Sequence, residues 1–311
     1  MKRLLLVLLC AFALVGAACS SDGSDGGDAG GSTTTGDLSL SDEVPEDVDL
    51  DPLVEQAIVD YKAYVSDQID EMVAEVKVFT DAIRGDDVEA AKAAFGPSRV
   101  NWERIEPIAG LVESTDGAVD ARVDDFESPD DPTWTGWHRL EHDLWVDGTI
   151  DDDDKAIADQ LDEELATLQT DFADLEMPPA AVAVGAAELI EEVSEGKITG
   201  EEDRYSKTDL WDFAANVEGA EAVIDVLEPA LEDVDPDLLT DIRADFNALW
   251  EKLNEYRDGD GWVLYCVEDD QYPSEECTET TVTADDIDQL KALLAATSED
   301  LALVPGALGL S

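Results

Sequence analysis

The sequence predicts an all-α protein made of two successive helical bundles. After Pro52, apolar residues recur at intervals of three and four over most of the chain, which is the spacing of one face of an α-helix. No segment shows the apolar–polar alternation of a half-buried strand. Pro178-Pro179 interrupts the helical pattern near its middle. We therefore expect bundle one to cover residues 52–177 and bundle two residues 178–311.

The start of the chain predicts export and anchoring. Lys2 and Arg3 precede an apolar run that is too short to remain as a membrane-spanning helix, which indicates a lipoprotein signal peptide over residues 1–18. Gly16-Ala17-Ala18-Cys19 resembles a lipobox and predicts lipidation of Cys19; an ordinary cleaved signal is the alternative. Residues 19–51 read as a flexible, acidic, Gly/Ser-rich tether. The expected location is the outer face of the cell membrane, in the cell envelope or periplasm.

Within bundle one, the apolar stripe from Val54 to Ile83 predicts a long helix that Gly85 ends. Asp86 with Glu89 resembles a capping box for a short helix that stops at Gly96-Pro97. The remaining predicted helices are Ser98–Glu106, an acidic one over Gly117–Asp125, an aromatic-rich one over Trp134–Trp145, and a long one marked by Ile157, Leu161, Leu165, Leu168, Phe172 and Leu175.

Bundle two is predicted to contain four helices, at about Ala180–Glu195, Lys207–Leu231, Pro236–Arg257 and Thr283–Leu303. The main irregular loop lies between the last two. It holds Cys266 and Cys277, which we expect to form a disulfide in an exported protein. A metal site is the alternative for these cysteines, although neither histidine lies near them in the sequence.

The charge of the chain limits its partners. With 78 Asp and Glu against 18 Lys and Arg, the formal net charge is −60. Such a surface repels phosphate backbones and anionic headgroups, which excludes nucleic-acid binding and leaves a lipid anchor as the contact with membrane. It attracts cations, although most of the charge is expected to be solvated surface. Two histidines are too few for a His-rich zinc centre.

Both histidines lie in one short motif. His138, Glu141 and His142 are three and four residues apart, so all three share one helix face. His-x-x-Glu can chelate a metal ion; the alternative is a polar helix face between core tryptophans. His-x-x-Glu-His also matches the inverted zinc-peptidase pattern, in which Glu141 would be the general base and Glu218 a third ligand.

Other carboxylates are placed to complete a metal site. Glu103 and Glu106 share a helix face, Asp120 lies in the acidic helix, and Glu201-Glu202-Asp203 precede a helix. In a chain with 78 acidic residues, spacing alone more often indicates solvated surface.

Four segments resemble the EfeO/EfeM iron-uptake proteins of the imelysin-like group. The longest is Lys197-Ile-Thr-Gly-Glu-Glu-Asp-Arg-Tyr-Ser-Lys-Thr-Asp-Leu-Trp-Asp-Phe-Ala-Ala-Asn-Val-Glu-Gly-Ala220, and Trp134-Thr-Gly-Trp-His-Arg-Leu-Glu141 matches the family's Gly-x-His-x-x-Glu motif. Arg99-Val-Asn-Trp-Glu-Arg-Ile-Glu-Pro107 and Val119-Asp-Ala-Arg122 fit intervening segments. The resemblance runs from about Pro52 to the C-terminus. It is to the short EfeM-type form, which lacks a cupredoxin-like module.

The resemblance implies a metal site made by His138, Glu141, Glu106 and Asp120, with Glu103 and Glu202 in a second site or the pocket wall. His142 departs from the family pattern. The implied function is a non-enzymatic, monomeric lipoprotein that captures ferric or ferrous iron and passes it to a membrane iron permease. Zinc or copper are alternative cargoes, and a haem-dependent peroxidase is a candidate further partner. An imelysin-like zinc metallopeptidase is the alternative function.

Overall fold

A computed structural model describes residues 50–310, and these residues confirm the all-α prediction. The predicted signal peptide, the lipidation site Cys19 and the tether up to residue 49 lie outside the described residues. The α-helices are α1 (Pro52–Arg84), α2 (Val88–Ile105), α3 (Glu113–Val119), α4 (Trp137–His142), α5 (Asp152–Asp171), α6 (Pro179–Glu195), α7 (Asp209–Val234), α8 (Pro236–Leu253), α9 (Ala284–Leu301) and α10 (Val304–Ala307).

Helix α1 follows the predicted stripe and forms one wall of the core. Asp51, the last residue of the predicted tether, caps it by accepting a hydrogen bond from Leu53 N at 2.8 Å. Every member of the stripe is buried except the partly buried Ile58. The stripe packs against α2 and α5, and Gly85 ends the helix as predicted.

Helix α2 does not stop at Gly96-Pro97, so that prediction is wrong. Pro97 lies inside a continuous helix, although it lacks the N–H that a helix interior uses. Packing offsets this cost, because a Cβ at Gly96 would lie only 3.0 Å from side-chain carbons of Thr208 and Trp211. The cap is Asp87, which accepts from Ala90 N at 3.1 Å, and not the predicted Asp86. The uninterrupted helix keeps the residues on either side of Pro97 in a single helical register.

The segment between α3 and α4 contains less helix than predicted. Gly117–Asp125 is not one helix: α3 ends at Val119, and Val123–Asp125 forms a separate 3₁₀ turn, which leaves Asp120 in between with a non-helical backbone. The aromatic-rich helix begins at Trp137, after Gly136 with φ 84°. A Cβ at Gly136 would lie 2.1 Å from Val119 O. Glycine therefore lets the start of α4 touch the end of α3.

In the second half, α6 packs against α7 and α9, and α8 packs against α7 and α9. Helix α7 also contacts α1 and α2, so the apolar core of the described residues is continuous. The predicted domain limits, residues 52–177 and 178–311, stay a prediction. Helix α7 starts at Asp209 instead of Lys207, because Lys207 has φ 64°, which an α-helix does not accommodate.

A two-stranded hairpin, β1 (Arg257–Asp258) with β2 (Gly261–Trp262), escaped prediction. Strands of two residues are too short to show an alternating pattern. Within residues 50–310, no helix combines the length and the apolarity that a membrane span requires.

The loop after the hairpin contains the predicted disulfide, since Cys266 and Cys277 are bonded to each other. Because the bond closes a loop of about a dozen residues in the unfolded chain, we expect the Cys266→Ser/Cys277→Ser double variant to lose about 3 kcal/mol of unfolding free energy. Urea unfolding of both proteins measures this. Alkylation of the native, unreduced protein should find neither thiol reactive, and labelling of both cysteines would contradict the pairing.

Candidate metal centre

The side chain of His138 lies at the bottom of a buried polar cluster, with 2% of its surface exposed. Two tryptophans fix the start of its helix. Trp137 Nε1 donates to Ser98 Oγ at 3.1 Å, and its ring lies 6.2 Å from that of Trp102. Glu141 follows one helical turn later and is fully buried. Both side chains therefore project from α4 into the space between α2 and the segment that follows α6.

One side of the imidazole faces two carboxylates. His138 Nδ1 lies 3.6 Å from Glu141 Oε2 and 3.9 Å from Asp203 Oδ1. The other oxygen of Glu141 accepts from the backbone N–H groups of Tyr205 at 2.9 Å and Ser206 at 2.7 Å. These two amides orient the carboxylate and leave Oε2 directed at the histidine.

The opposite side of the ring faces a second pair of carboxylates. His138 Nε2 lies 3.4 Å from Asp120 Oδ1 and 3.5 Å from Glu202 Oε1. Trp102 Nε1 donates to the other oxygen of Asp120 at 2.9 Å, and Arg122 donates to the other oxygen of Glu202. Each carboxylate thus turns one oxygen toward the ring, and that oxygen also accepts a hydrogen bond from Arg99.

Four polar atoms here have no hydrogen-bond partner among the described residues, although all are buried: both ring nitrogens of His138, Glu141 Oε2 and Asp203 Oδ1. Buried polar atoms are nearly always paired, so each exception needs a reason. Glu141 Oε2 and Asp203 Oδ1 lie 3.6 and 3.9 Å from His138 Nδ1. Only small shifts of these three atoms are needed for them to bind one ion with bonds of about 2.0–2.2 Å.

Arg99 occupies the middle of the cluster and is fully buried. It donates to Asp120 and Glu103, to Glu202 at 2.9 Å and to Asp212 at 3.2 Å, and its Nε lies 3.7 Å from Asp203. A guanidinium with five donors suits this arrangement, because it separates carboxylates that would otherwise repel one another.

Lys197 neutralises the other end of the cluster. Its Nζ lies 2.6 and 2.7 Å from the two oxygens of Glu106 and 3.0 Å from Glu103. Asn216 also donates to Glu106, at 2.6 Å. Of the four residues in the predicted first site, His138, Glu141 and Asp120 lie together, whereas Glu106 lies with Lys197. Glu202, assigned to the second group, faces His138.

The surrounding charges shift several pKa values. Burial and Arg99 act to lower the pKa of His138, but Asp120, Glu141 and Glu202 outweigh them and raise it to about 10. Burial raises the pKa values of Asp203 and Asp212 well above their usual range, although Arg99 opposes it. For Asp120, Arg99 and His138 overcome burial and hold the pKa below its usual range. These carboxylates therefore favour the protonated form of His138 when no metal ion is bound.

His142 and Glu218 lie elsewhere. The His142 ring packs edge-on against Trp134 and Tyr205, and its Nδ1 lies 2.8 Å from Asp143 Oδ1. Glu218 accepts from Arg104 at 2.7 Å and is partly exposed. Neither residue belongs to the groups of possible metal ligands around His138. The chain therefore does not assemble the ligand set of the inverted zinc-peptidase pattern among its described residues.

A cavity of about 570 Å³ reaches the cluster. Asp120 and Glu202 line it together with Arg122 and Lys197, and Asp116 lies along its wall. Burial and the nearby Asp120 raise the pKa of Asp116 to about 7. A cation entering from this side meets carboxylates before it meets the imidazole.

Sequence reasoning missed Arg99, Lys197 and Asp212 as parts of the cluster, whereas Asp203 was among the carboxylates placed to complete a site. All three missed residues lie inside the motifs that carried the family resemblance. In a chain with only 18 basic residues, an Arg and a Lys placed within those motifs were a usable signal of buried counter-charges.

Comparison with known proteins supports the motif-based resemblance. The family model for imelysin, peptidase M75, matches residues 57–303. The iron uptake system component EfeO of Escherichia coli O1:K1 is 46% identical over 255 residues, which is 82% of this chain and 64% of that protein. The components of the same name from E. coli K12 and Shigella flexneri are 45% identical over the same shares. The chain thus spans slightly less than two thirds of the length of these relatives.

The match covers nearly all of the described helices, and the motifs around Arg99, His138 and Lys197 lie within it. The chain belongs to the imelysin family.

Proposed function

We propose that the chain captures an iron ion at the His138 cluster and takes part in iron uptake. The observation that carries this proposal is the set of four buried, unpartnered polar atoms on His138, Glu141 and Asp203. The EfeO relatives are named as components of an iron uptake system, which supports the same function for this chain.

The donor atoms suit iron. One imidazole nitrogen and several carboxylate oxygens form a set of borderline and hard ligands, which ferrous and ferric ions accept. We propose His138, Glu141 and Asp203 as ligands on the Nδ1 side, and Asp120 and Glu202 on the Nε2 side, the two groupings that the geometry allows around His138. Glu106 then belongs to the pocket wall, and Glu103 lies beside Glu202 and Asp212. Zinc and copper accept the same ligands, so selectivity depends on which metal the cell supplies.

Arg99 and Lys197 keep the site ready for a cation. Six carboxyl groups lie around these two buried bases: Glu103, Glu106, Asp120, Glu202, Asp203 and Asp212. The two positive charges hold the carboxylates in place and leave a net negative field at the histidine. A cation then gains Coulomb attraction in a region from which water is largely excluded.

We propose that the ion enters through the cavity beside Asp116 and Asp120 and later passes to a membrane iron permease, with a haem-dependent peroxidase as a further partner. Lipidation at Cys19 and the tether up to residue 51 would keep the domain at the outer face of the membrane. We propose a binding role instead of a peptidase role, since His142 pairs with Asp143 and two amides hold Glu141 as a fixed ligand.

Metal binding should release protons over a wide pH range. The pKa of His138 is about 10 in the metal-free protein, whereas a ligand imidazole must be neutral. Affinity should therefore rise as pH rises from 6 toward 10, by up to about tenfold per pH unit for each proton displaced. Calorimetric titration with Zn²⁺, and with Fe²⁺ under anaerobic conditions, in buffers of different ionisation enthalpy counts the released protons.

An unshifted histidine would give a different profile. With a pKa of about 6.5, affinity would fall only below that pH and would be level above pH 8. A level profile from pH 7 to 9 would contradict the raised pKa, and no binding at micromolar metal would overturn the proposed function itself.

The anchor is tested at the native N-terminus. We expect mass spectrometry of protein isolated from membranes to find Cys19 as the first residue, carrying acyl chains. Cys19→Ala should release the protein from the membrane fraction, because the predicted tether offers no other apolar attachment. A mature chain that starts at another residue, without lipid, would contradict this prediction.

A further inference from the structure

The segment that supplies the metal centre from the second half of the chain has little regular structure of its own. Residues 202–206 provide Glu202, Asp203 and the two backbone amides that hold Glu141. They form successive turns between a 3₁₀ helix and α7, and Lys207 directly after them has φ 64°. A positive φ at a non-glycine residue costs conformational energy, so this backbone conformation persists only when the surrounding structure holds it.

The disulfide loop, residues 266–277, lies against this segment. Lys207 is fully buried, and its Nζ lies 2.8 Å from Asp270 Oδ2. Ser274 Oγ donates to Tyr205 O at 2.7 Å. The guanidinium of Arg204 lies 4.4 Å from the centre of the Tyr272 ring. Asp270, Tyr272 and Ser274 of one loop therefore contact Lys207, Arg204 and Tyr205, the residues around the amides that orient Glu141.

The base of the disulfide loop is fixed to residues on either side of this segment. Tyr265 N donates to Lys207 O at 2.8 Å, and the Tyr265 hydroxyl donates to Ile198 O at 2.8 Å. Cys266 O accepts from Thr281 N and Val282 N. Between the two cysteines the sequence is polar and acidic, so it buries little apolar surface. The disulfide adds a covalent link between the far end of this loop and its base.

We propose that the disulfide loop is a clamp that sets the geometry of the metal centre, with Asp270 and Ser274 as positioning residues that act through Lys207 and Tyr205. This inference rests on the proposed function. Its physical basis is that groups that orient ligands commonly change metal affinity by about 10- to 100-fold when they are altered. Segment 202–206 supplies two ligands and orients a third, so a small shift of it displaces several donor atoms at once.

The test compares two variants that each remove one negative charge from the same loop. Asp270→Asn removes the partner of Lys207, whereas Glu275→Gln changes an exposed residue of the loop. Calorimetric titration of the full chain with Zn²⁺, and with Fe²⁺ under anaerobic conditions, should show affinity about tenfold or more weaker for Asp270→Asn. Glu275→Gln should stay within about twofold, because the loss of one distant, solvent-screened charge has little effect.

A second readout needs no metal. In the metal-free protein, hydrogen exchange of the amides of Tyr205 and Ser206 should be faster in Asp270→Asn than in Glu275→Gln, with helix α1 unchanged in both. Asp270→Glu should recover part of the metal affinity. Cys266→Ser/Cys277→Ser should weaken binding like Asp270→Asn, and this double variant replaces thiol reductants, which would chelate the metal.

The outcomes separate the two proposals. If the unaltered protein binds neither metal, or if the His138→Ala variant binds metal with the same affinity as the unaltered protein, the proposed function fails. If the unaltered protein binds through His138 but Asp270→Asn and Glu275→Gln have equal affinities and equal amide exchange, the clamp is refuted and the proposed function stands.

Discussion

His138→Ala should abolish tight metal binding. The histidine lies between two pairs of carboxylates, and both of its nitrogens lack another partner among the described residues. Altering groups that merely orient a ligand costs about 10- to 100-fold, so removal of the ligand shared by both pairs should weaken binding by more than about 100-fold. Titration with Fe²⁺ and Zn²⁺ measures this, and circular dichroism checks that the helical content is unchanged.

His142→Ala is the matched control, since it removes an imidazole from the same helix. His142 contacts Asp143 and two aromatic rings, so its loss should change metal affinity by no more than about twofold, or about 0.4 kcal/mol. Glu141→Gln should weaken binding strongly. If His142→Ala were as damaging as His138→Ala, and a peptidase assay lost activity in parallel, the zinc-peptidase alternative would replace the binding function.

Arg99→Met should destabilise the fold by about 3–5 kcal/mol, the usual cost of leaving buried charges without their partner. Arg99 lies within salt-bridge distance of five carboxyl groups: Glu103, Asp120, Glu202, Asp203 and Asp212. Methionine fills a similar volume but offers no donor. Urea unfolding at pH 7 measures the loss, and Arg99→Lys, which keeps the charge, should lose less.

Arg104→Met serves as the control on the same helix. Arg104 pairs with Glu218 and both side chains are about one third exposed, so its loss should cost about 1 kcal/mol or less. The Arg99→Met penalty should also shrink toward pH 4. Without the guanidinium, the folded-state pKa of Asp120 loses a charge that lowers it, and those of Asp203 and Asp212 rise further above their unfolded values of about 4, so protonation relieves the repulsion. Equal, pH-independent losses in the two variants would contradict a central electrostatic role for Arg99.

The helices were largely predictable because their signals are local. The stripe of α1, the ends at Gly85 and Pro178, and the pairing of Cys266 with Cys277 all follow from residues near one another in the chain. The errors occurred where distant contacts outweigh local preference. Pro97 stays inside α2 because Gly96 packs against Trp211. Gly136 allows α4 to touch Val119, which leaves Asp120 outside any helix.

The candidate site likewise has a part that local sequence predicts and a part that only tertiary packing decides. His138 and Glu141 could be paired from sequence, because one helical turn brings residues i and i+3 to the same face whatever the rest of the chain does. Which acids join them depends on how separate segments pack. Helix packing brings Asp120, Glu202 and Asp203 to the imidazole and leaves Glu106 with Lys197.

The sequence by itself determined the all-α class, the family, the helix that carries the histidine and the acidic character of the chain. The tertiary structure alone decided which carboxylates meet His138, where Arg99 and Lys197 lie among them, and that the disulfide loop rests on segment 202–206. The physical reason is the distance along the chain between the residues that determine each property. Helical periodicity and charge content are properties of neighbouring residues, whereas a buried charge cluster forms only when several segments exclude water together and each charge finds its partner across the core.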